Sequence, residues 1–306
     1  MAEYYDPETY PKQWNYLQAG TIIDDYMIER ELAHGGFSSV YLARQLKDQI
    51  QVAIKEYLPR KLAHRTWNNQ VAANNEESKR LFAHGRKLFL EEAKVLATLK
   101  HPNIVDVISF FQANATVYLV MTYDYGITLD KLIKDQQIQL SDQWFLSVFG
   151  SLLNGLRMIH EQKLLHLDIK PANLLIRPNN DVLLLDFGAI QSFPLATNKS
   201  KAHILTKGFS PVEQYASKGV LGPYSDIYAV GASMRSCLDF NVPPQAPDRV
   251  GNIDFPLAQK LYARKFNPRL LEIIDWSMEI NANDRPQSVE ELQAALAELA
   301  CLGTRV

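Results

Sequence analysis

The sequence has little cysteine and no marked excess of either charge. It contains two cysteines in 306 residues, Cys237 and Cys301, too few for the disulfide framework of a small secreted domain. With 32 Lys and Arg against 34 Asp and Glu, the formal net charge is −2 at pH 7, so bulk electrostatics gives no reason to expect nucleic-acid binding. These two scarcities predict a cytoplasmic protein in a reducing compartment, with no nucleic-acid partner.

The sequence also lacks a long apolar run. No stretch approaches the roughly 18 consecutive apolar residues of a membrane-spanning helix. The first residues, Met1–Asp6, have neither the basic nor the apolar region of a signal peptide. Hydrophobic residues make up 47% and charged residues 22% of the chain, values typical of a globular protein. We therefore expect no membrane insertion and no secretory leader.

A group of charged and amide side chains is present in the second half of the chain. Leu165–Asn173 reads Leu-His-Leu-Asp-Ile-Lys-Pro-Ala-Asn, and Leu185–Gly188 reads Leu-Asp-Phe-Gly. The first segment places the carboxylate of Asp168, a cation and an amide in one short loop. Phosphoryl transfer needs such groups, with one carboxylate to orient the attacking hydroxyl and a second, here Asp186, to hold a metal.

Two further segments upstream suit the same chemistry. Leu32–Val40 reads Leu-Ala-His-Gly-Gly-Phe-Ser-Ser-Val, and Val52–Lys55 reads Val-Ala-Ile-Lys. The paired glycines permit a close backbone approach to phosphate. The surrounding residues 26–58 and 104–122 carry short apolar and aromatic runs separated by turn residues, which predict an antiparallel sheet.

After Gly126 the apolar spacing becomes helical. Apolar residues recur at three and four between Trp144 and Ile159, behind Ser141 as a helix N-cap. Ser288 followed by Glu291 predicts a capping box at the start of the last helix.

In this order, the four segments resemble the motifs of protein kinases, and most closely those of bacterial (eukaryotic-like) serine/threonine kinases. The resemblance runs from about Gly20 to about Ala300. It implies an α+β, bilobal protein-kinase fold, with a small antiparallel β-sheet N-lobe that has one main helix and a larger α-helical C-lobe. The implied boundaries are an N-terminal extension at 1–19, a kinase domain at 20–300, an N-lobe at about 20–121, a hinge at 122–126, a C-lobe at 127–300 and a tail at 301–306.

The resemblance also implies a reaction, the ATP- and Mg²⁺-dependent transfer of the γ-phosphoryl group to Ser or Thr hydroxyls of a protein substrate, with autophosphorylation. The implied catalytic residues are Asp168, Lys170, Asn173, Lys55 and Glu92. Asn173 and Asp186 would hold Mg²⁺ or Mn²⁺. We prefer Glu92 to Glu91 as the partner of Lys55 because Glu92, Val95 and Leu96 share one face at helical spacing.

The implied nucleotide-binding residues comprise the glycine-rich loop, the hinge and the walls beside them. Met121 stands at the gatekeeper position before the hinge. The full set is Leu32, Ala33, Gly35, Gly36, Phe37, Ser38, Val40, Ala53, Lys55, Met121, Thr122, Tyr123, Asp124, Asn173, Leu175 and Asp186.

Other positions match residues that support the family's active site. Glu213 and Arg285 correspond to its late Glu–Arg pair, and Asp226 to the helix carboxylate that anchors the catalytic-loop backbone. Thr206 is expected to touch Asp168 and Lys170, as in Ser/Thr kinases. His166 is expected to pack against Phe187 rather than to act as a base.

The chain departs from the family pattern at several positions. Ala33 and Ser38 replace two glycines of the loop, which puts nucleotide affinity in doubt. Val212 replaces the proline before Glu213. Leu167 stands where most regulated kinases have arginine, so an activation-loop phosphate loses its usual receptor; a neutral variant, with Lys199 or Lys201 binding the phosphate, is the alternative.

Two segments fall outside the motifs. Residues 1–19 hold five aromatic residues and are expected to dock onto the domain. The long span between Lys55 and Glu92 suggests a polar loop, which is either a tolerated insertion or a regulatory or docking element. A regulatory partner is possible in this reading. A nucleotide-sensing pseudokinase and a small-molecule kinase remain as alternatives, opposed respectively by the complete catalytic set and by the Glu213–Arg285 pair.

Overall fold

The computed structural model describes residues 16–193, 205–216, 219–251 and 253–302. Most of the predicted N-terminal extension lies outside the described residues, as do Thr197, Lys199, Ser200, Lys201 and most of the predicted tail. The chain divides into two compact units, one formed by 1–100 with 106–124 and the other by 101–105 with 125–306.

The first unit is a twisted antiparallel sheet with one long helix. Six strands form the sheet in the order β1-β2-β3-β4-β8-β7, and β5 and β6 form a separate hairpin. The strands are β1 (Ile22–Ile23), β2 (Tyr26–His34), β3 (Ser38–Gln45), β4 (Gln51–Tyr57), β5 (Ala63–Arg65), β6 (Val71–Ala73), β7 (Val107–Ala113) and β8 (Thr116–Thr122). The helix α1 (Glu76–Thr98) begins after Asn75, whose side chain accepts the Ser78 N–H at 2.8 Å.

Residue alternation gives the two faces of this sheet different surroundings. Lys55 on β4 lies opposite Val40 on β3 and Leu119 on β8, while Ile54 points to the other face. That other face is a buried core. Leu17, from the segment before β1, is part of this core and is only 3% exposed, so the described end of the N-terminal extension is packed against the sheet.

The second unit is mainly helical. Its helices are α2 (Leu129–Lys134), α3 (Asp142–Glu161), α4 (Val212–Tyr215), α5 (Pro223–Asp239), α6 (Ala246–Val250), α7 (Ala258–Tyr262), α8 (Pro268–Ser277) and α9 (Val289–Leu302). Its short strands are β9 (Ile127–Thr128), β10 (Leu164–Leu165), β11 (Leu174–Ile176), β12 (Val182–Leu184) and β13 (Gln191–Ser192). Short 3₁₀ turns lie at Pro171–Asn173, Pro178–Asn180 and Ala282–Asp284.

The N-cap predicted for α3 is confirmed, whereas the capping box predicted for α9 forms only in part. Ser141 accepts the Trp144 N–H at 3.1 Å and caps α3 as predicted. At α9, Ser288 accepts the Glu291 N–H at 3.2 Å, but the Glu291 carboxylate accepts from the N–H of Gln287 at 2.7 Å. The returning bond of the predicted capping box therefore falls one residue before the cap.

The two units confirm the predicted α+β class, with a sheet-rich first unit and a helical second unit. No helix in the described ranges is both long and apolar enough to cross a membrane. In the second unit, β11 pairs with β12 so that Leu174 lies opposite Leu184. The segment that carries Asp168 precedes β11, and Asp186 follows β12. This hairpin thus brings the two motifs to the same end of one small sheet.

Candidate active site

The carboxylate of Asp168 is held by three different side chains. Lys170 Nζ lies 2.7 and 2.9 Å from its two oxygens, and the Thr206 hydroxyl donates to it at 2.6 Å. The Asn173 amide nitrogen donates to the Asp168 backbone carbonyl at 2.8 Å and to its carboxylate at 3.1 Å. Lys170 Nζ also lies 3.3 Å from Thr206 Oγ1. The structure thus brings together the catalytic-loop residues predicted from the sequence, with Thr206 among them.

The backbone of the same loop is held by hydrogen bonds to Asp226 on α5. This fully buried carboxylate accepts the N–H groups of His166 at 2.9 Å and Leu167 at 2.7 Å, and it pairs with His160 Nε2 at 2.8 Å. Burial favours the neutral acid, but the hydrogen bonds that the carboxylate accepts from His160 and from the His166 backbone help to outweigh it, and the pKa of Asp226 lies below its usual value. Asp226 is therefore ionised at neutral pH and orders the loop.

His166 lies where a packing role was predicted. Its ring is 4.9 Å from that of Phe187 in an edge-on arrangement, and it is fully buried. Burial lowers its pKa, against the opposing effect of Asp226 and other nearby carboxylates. A buried, neutral histidine with this packing suits support of the Asp186-Phe187-Gly188 segment better than proton transfer.

The residues predicted to hold a metal offer oxygen donors of the kind that Mg²⁺ prefers. The backbone N–H of Leu185 donates to the Asn173 carbonyl at 3.0 Å, which ties the two segments together. Asn173 bonds to Asp168 through its amide nitrogen, so its amide oxygen is turned away from Asp168. No group of three or more His, Cys, Asp or Glu side chains in the described ranges could hold a metal by itself. A metal here would therefore need phosphate or water oxygens to complete its ligands.

In the first unit, Lys55 is directed toward α1. Its Nζ lies 4.0 Å from Glu92 Oε1 and 5.7 Å from the centre of the Phe89 ring. Glu91, by contrast, is exposed. The structure therefore places Glu92, rather than its neighbour, beside the lysine.

The predicted glycine-rich loop is the turn between β2 and β3. Ala33 pairs with Val40, and the Gly35 N–H donates to the Ser38 carbonyl at 2.8 Å, which closes the turn. A Cβ atom added at Gly36 would meet no protein atom within 4 Å. The space beside this backbone is open, as binding of a phosphate group requires. Leu32 lies just before this turn on β2, and Phe37 at its tip is 64% exposed.

The other predicted nucleotide-binding residues lie on both units. Ala53 pairs with Met121 across β4 and β8, and both are buried. Thr122 ends β8, with Tyr123 and Asp124 after it, and its N–H donates to the Asp106 carbonyl at 2.9 Å. Leu175 lies on β11 of the second unit and is 9% exposed.

Comparison with known proteins agrees with this geometry. The family model described as the protein kinase domain matches residues 26–296. The chain belongs to the protein kinase family. A further match is to the serine/threonine-protein kinase D of Synechocystis sp., at 28% identity over 92% of this chain and 54% of that protein. Mouse Aurora kinase C is 30% identical over 68% of each chain.

Among solved structures, the kinase resembles the one described as "PpkA-294 apo form". The TM-score is 0.82 at 29% identity, and the match covers 92% of this chain and 99% of the other. This likeness confirms the predicted protein-kinase fold. The chain spans about half the length of the Synechocystis relative.

The late Glu–Arg pair of the kinase is complete. Arg285 donates to the two Glu213 oxygens at 2.7 and 3.1 Å, and the Ser225 hydroxyl donates to Glu213 at 2.9 Å. Arg285 is 2% exposed. The pair joins α4 to the segment before α9, and the departure at Val212 leaves it intact.

Leu167, which stands where most regulated kinases have a phosphate-binding arginine, is buried. It belongs to an apolar cluster with Leu165, Ala189 and Leu221, against which Phe193 packs. Its φ of +61° is costly for a bulky side chain, by about 1–3 kcal/mol. The kinase therefore joins the start of its activation segment to the catalytic loop by apolar packing at this position.

Sequence reasoning missed two supporting contacts in the kinase. Gln214 Nε2 donates to the Leu167 carbonyl at 2.9 Å and thereby fixes the strained residue from the side of α4. In the first unit, Glu56, next to Lys55, forms a fully buried ion pair with Arg65 of β5. Because side chains alternate along a strand, Glu56 lies on the sheet face opposite Lys55, and this alternation could have predicted that its carboxylate is buried. Nothing in the spacing indicated that its partner would come from the insertion.

Proposed function

We propose that this kinase transfers the γ-phosphoryl group of ATP to serine or threonine hydroxyls of protein substrates, with Mg²⁺ or Mn²⁺. The observation that carries the proposal is the set of bonds on Asp168. A carboxylate held by Lys170, Thr206 and Asn173 is fixed in the orientation that a general base needs, since the same groups would restrain it while a hydroxyl is bound. The names of the bacterial relatives support the same activity.

Asp168 would orient the acceptor hydroxyl and receive its proton as the new O–P bond forms, while the bond from the γ-phosphorus to the β–γ bridging oxygen breaks and ADP leaves. Lys170 would offset the negative charge that spreads over the transferring phosphoryl oxygens. Thr206 contacts both side chains and would keep their spacing, in accord with a Ser/Thr acceptor. Proximity and electrostatic stabilisation account for the reaction because phosphoryl transfer needs little other chemistry from the protein.

Lys55, positioned by Glu92, would bind the α- and β-phosphates, with Gly35 and Gly36 covering them. Thr122–Asp124 would offer backbone groups to adenine. Asn173 and Asp186 would hold the divalent metal, which would supply positive charge against that of the phosphate groups. Autophosphorylation, a cytoplasmic location and a regulatory partner belong to the same proposal.

The test is incubation of the purified chain with γ-labelled ATP, Mg²⁺ and a generic acceptor protein, followed by phosphoamino-acid analysis. We expect label on serine or threonine, and its loss on chelation of the metal. Nucleotide binding without transfer would instead indicate a pseudokinase. Label that appears only on added small-molecule alcohols would indicate a small-molecule kinase.

A further inference from the structure

We infer that Arg60 and Tyr16 are positioning residues for nucleotide binding, which brace the glycine-rich loop through contacts outside the kinase motifs. The inference rests on the proposed function, because it concerns the phosphate half of the same site. It assigns a role to parts of the two segments that the motifs left unexplained, the N-terminal extension and the insertion after Lys55.

The tip of the glycine-rich loop is hydrogen-bonded to the chain that follows β4. The Leu58 N–H donates to the Phe37 carbonyl at 3.0 Å, and the Arg60 N–H donates to the Gly36 carbonyl at 3.1 Å. These bonds continue the pairing of β3 with β4 past Ser38 and Tyr57. The two residues at the apex of the loop are thus attached to the start of the insertion.

The Arg60 side chain extends this attachment to the N-terminal extension. Its guanidinium donates to the Tyr16 hydroxyl and lies over the Tyr16 ring, 4.9 Å from the ring centre. The Tyr16 ring lies in turn 5.3 Å from that of His34, at the start of the loop. The start and the apex of the loop are therefore in contact with the same Arg60–Tyr16 pair.

The pair is itself anchored at two points. Leu17, next to Tyr16, is buried in the outer core of the sheet, and its N–H donates to the Tyr41 hydroxyl at 3.3 Å. The Arg60 carbonyl accepts from the Asn74 side chain at 3.3 Å, at the end of the β5–β6 hairpin. The brace thus connects the loop to parts of the fold that are fixed by burial.

Such a brace suits a loop that has lost two of its glycines. Binding a phosphate to a mobile loop costs the entropy of ordering it, and ordering the loop beforehand reduces that cost. Removal of the brace should therefore weaken nucleotide binding, while the groups that act on the bound phosphate, in the second unit and at Lys55, stay in place.

The experiment compares Arg60→Met and Tyr16→Phe with the unchanged protein. We expect the Kd for Mg-ATP, from calorimetry, and KM for ATP to rise about 3- to 10-fold, the effect of losing one cation–π contact or one hydrogen bond to a charged group. The kcat should stay within about twofold. Hydrogen exchange without nucleotide should become faster for the amides of Leu58 and Arg60. Tyr16→Phe keeps the ring and should give the smaller change.

Arg44→Met is the matched control. Arg44 also pairs with one neighbouring side chain on this sheet, Glu29, at 2.6 Å, and it donates to the Gln49 carbonyl at 2.9 Å; both partners lie outside the glycine-rich loop at 32–40. Its Kd and loop exchange should be unchanged. The double variant Arg60→Met/Tyr16→Phe should bind no more weakly than Arg60→Met alone, because both changes break one unit.

Normal binding by the unchanged protein together with unchanged Kd and exchange in Arg60→Met would overturn the inference and leave the proposed function standing. So would a loss of kcat at constant KM with lowered thermal stability, since this indicates a structural role only. If the unchanged protein does not bind Mg-ATP, the proposed function fails, and the inference fails with it.

Discussion

The two units support their kinase motifs in different ways. In the second unit, Asp168 is bonded to Lys170, Asn173 and Thr206, residues that belong to the same family motifs. In the first unit, the strand of Lys55 and the glycine-rich loop are supported largely by residues outside any motif, from the N-terminal segment and the insertion. In the second unit the Asp168 carboxylate is thus held by residues that the motifs predict, whereas the sheet of the first unit depends on additional segments.

The largest expected effect concerns Asp168 in the second unit. Asp168→Asn should keep Mg-ATP binding and lose phosphoryl transfer by on the order of 100- to 10,000-fold, because an amide cannot take the hydroxyl proton. Steady-state kinetics and calorimetry on the same preparation measure the two effects. Asp135→Asn, an exposed position after α2, is the control and should be silent. Wild-type rates in Asp168→Asn would exclude the proposed role.

The next effect tests how far the first unit depends on the insertion after Lys55. Glu56 and Arg65 are fully buried, and Glu56 also accepts from Tyr118 at 2.6 Å and Tyr41 at 3.0 Å. Glu56→Gln leaves Arg65 as an unpaired buried charge, so we expect the free energy of unfolding to fall by about 3–5 kcal/mol.

Denaturant titration measures this change. Glu29→Gln breaks the more exposed pair with Arg44 on the same sheet and should cost at most about 1 kcal/mol. Equal costs for the two variants would show that the insertion is no more than a surface addition.

The difference between the two units also explains which features could be predicted from the sequence. The kinase fold was predicted from the resemblance of the ordered motifs to those of protein kinases. The nearness of Asp168, Lys170 and Asn173 was predictable because these residues lie a few positions apart in one loop. The pairing of Lys55 with a helix glutamate was implied by the resemblance, and helical periodicity selected Glu92 over Glu91.

The supports of the first unit were not predictable. Arg60 and Tyr16 are 44 residues apart, and no periodicity links a segment before β1 to a turn after β4. The bond from Gln214 to Leu167 is likewise a tertiary contact, between residues 47 positions apart. The sequence indicated that Leu167 could not bind phosphate, but its partners in the apolar cluster became known only from the fold.

A moderate effect tests the helix side of the first unit. Glu92→Gln should lower kcat/KM about tenfold, because Lys55 loses the charge that positions it while keeping its own contact with phosphate. Glu91→Gln, at the exposed neighbouring position, should stay within about twofold. The two kinetic constants, measured side by side, decide the register of α1; a severe effect of Glu91→Gln with a silent Glu92→Gln would contradict it.

The smallest expected effect concerns the activation segment. Leu167 is buried in an apolar cluster with Ala189 and Leu221, and none of these three side chains is a cation that could bind an added phosphate. The segment is therefore expected to reach its working arrangement without phosphorylation.

On phosphatase-treated protein, the combined variant with Ser192, Thr197 and Ser200 all changed to alanine should keep an initial rate within a few-fold of wild type. Thr206 is excluded from this set because its hydroxyl contacts Asp168, so its loss would lower the rate for a different reason. A lag in the wild-type progress curve that autophosphorylation removes, and that the triple variant retains, would show that phosphate control operates without the arginine.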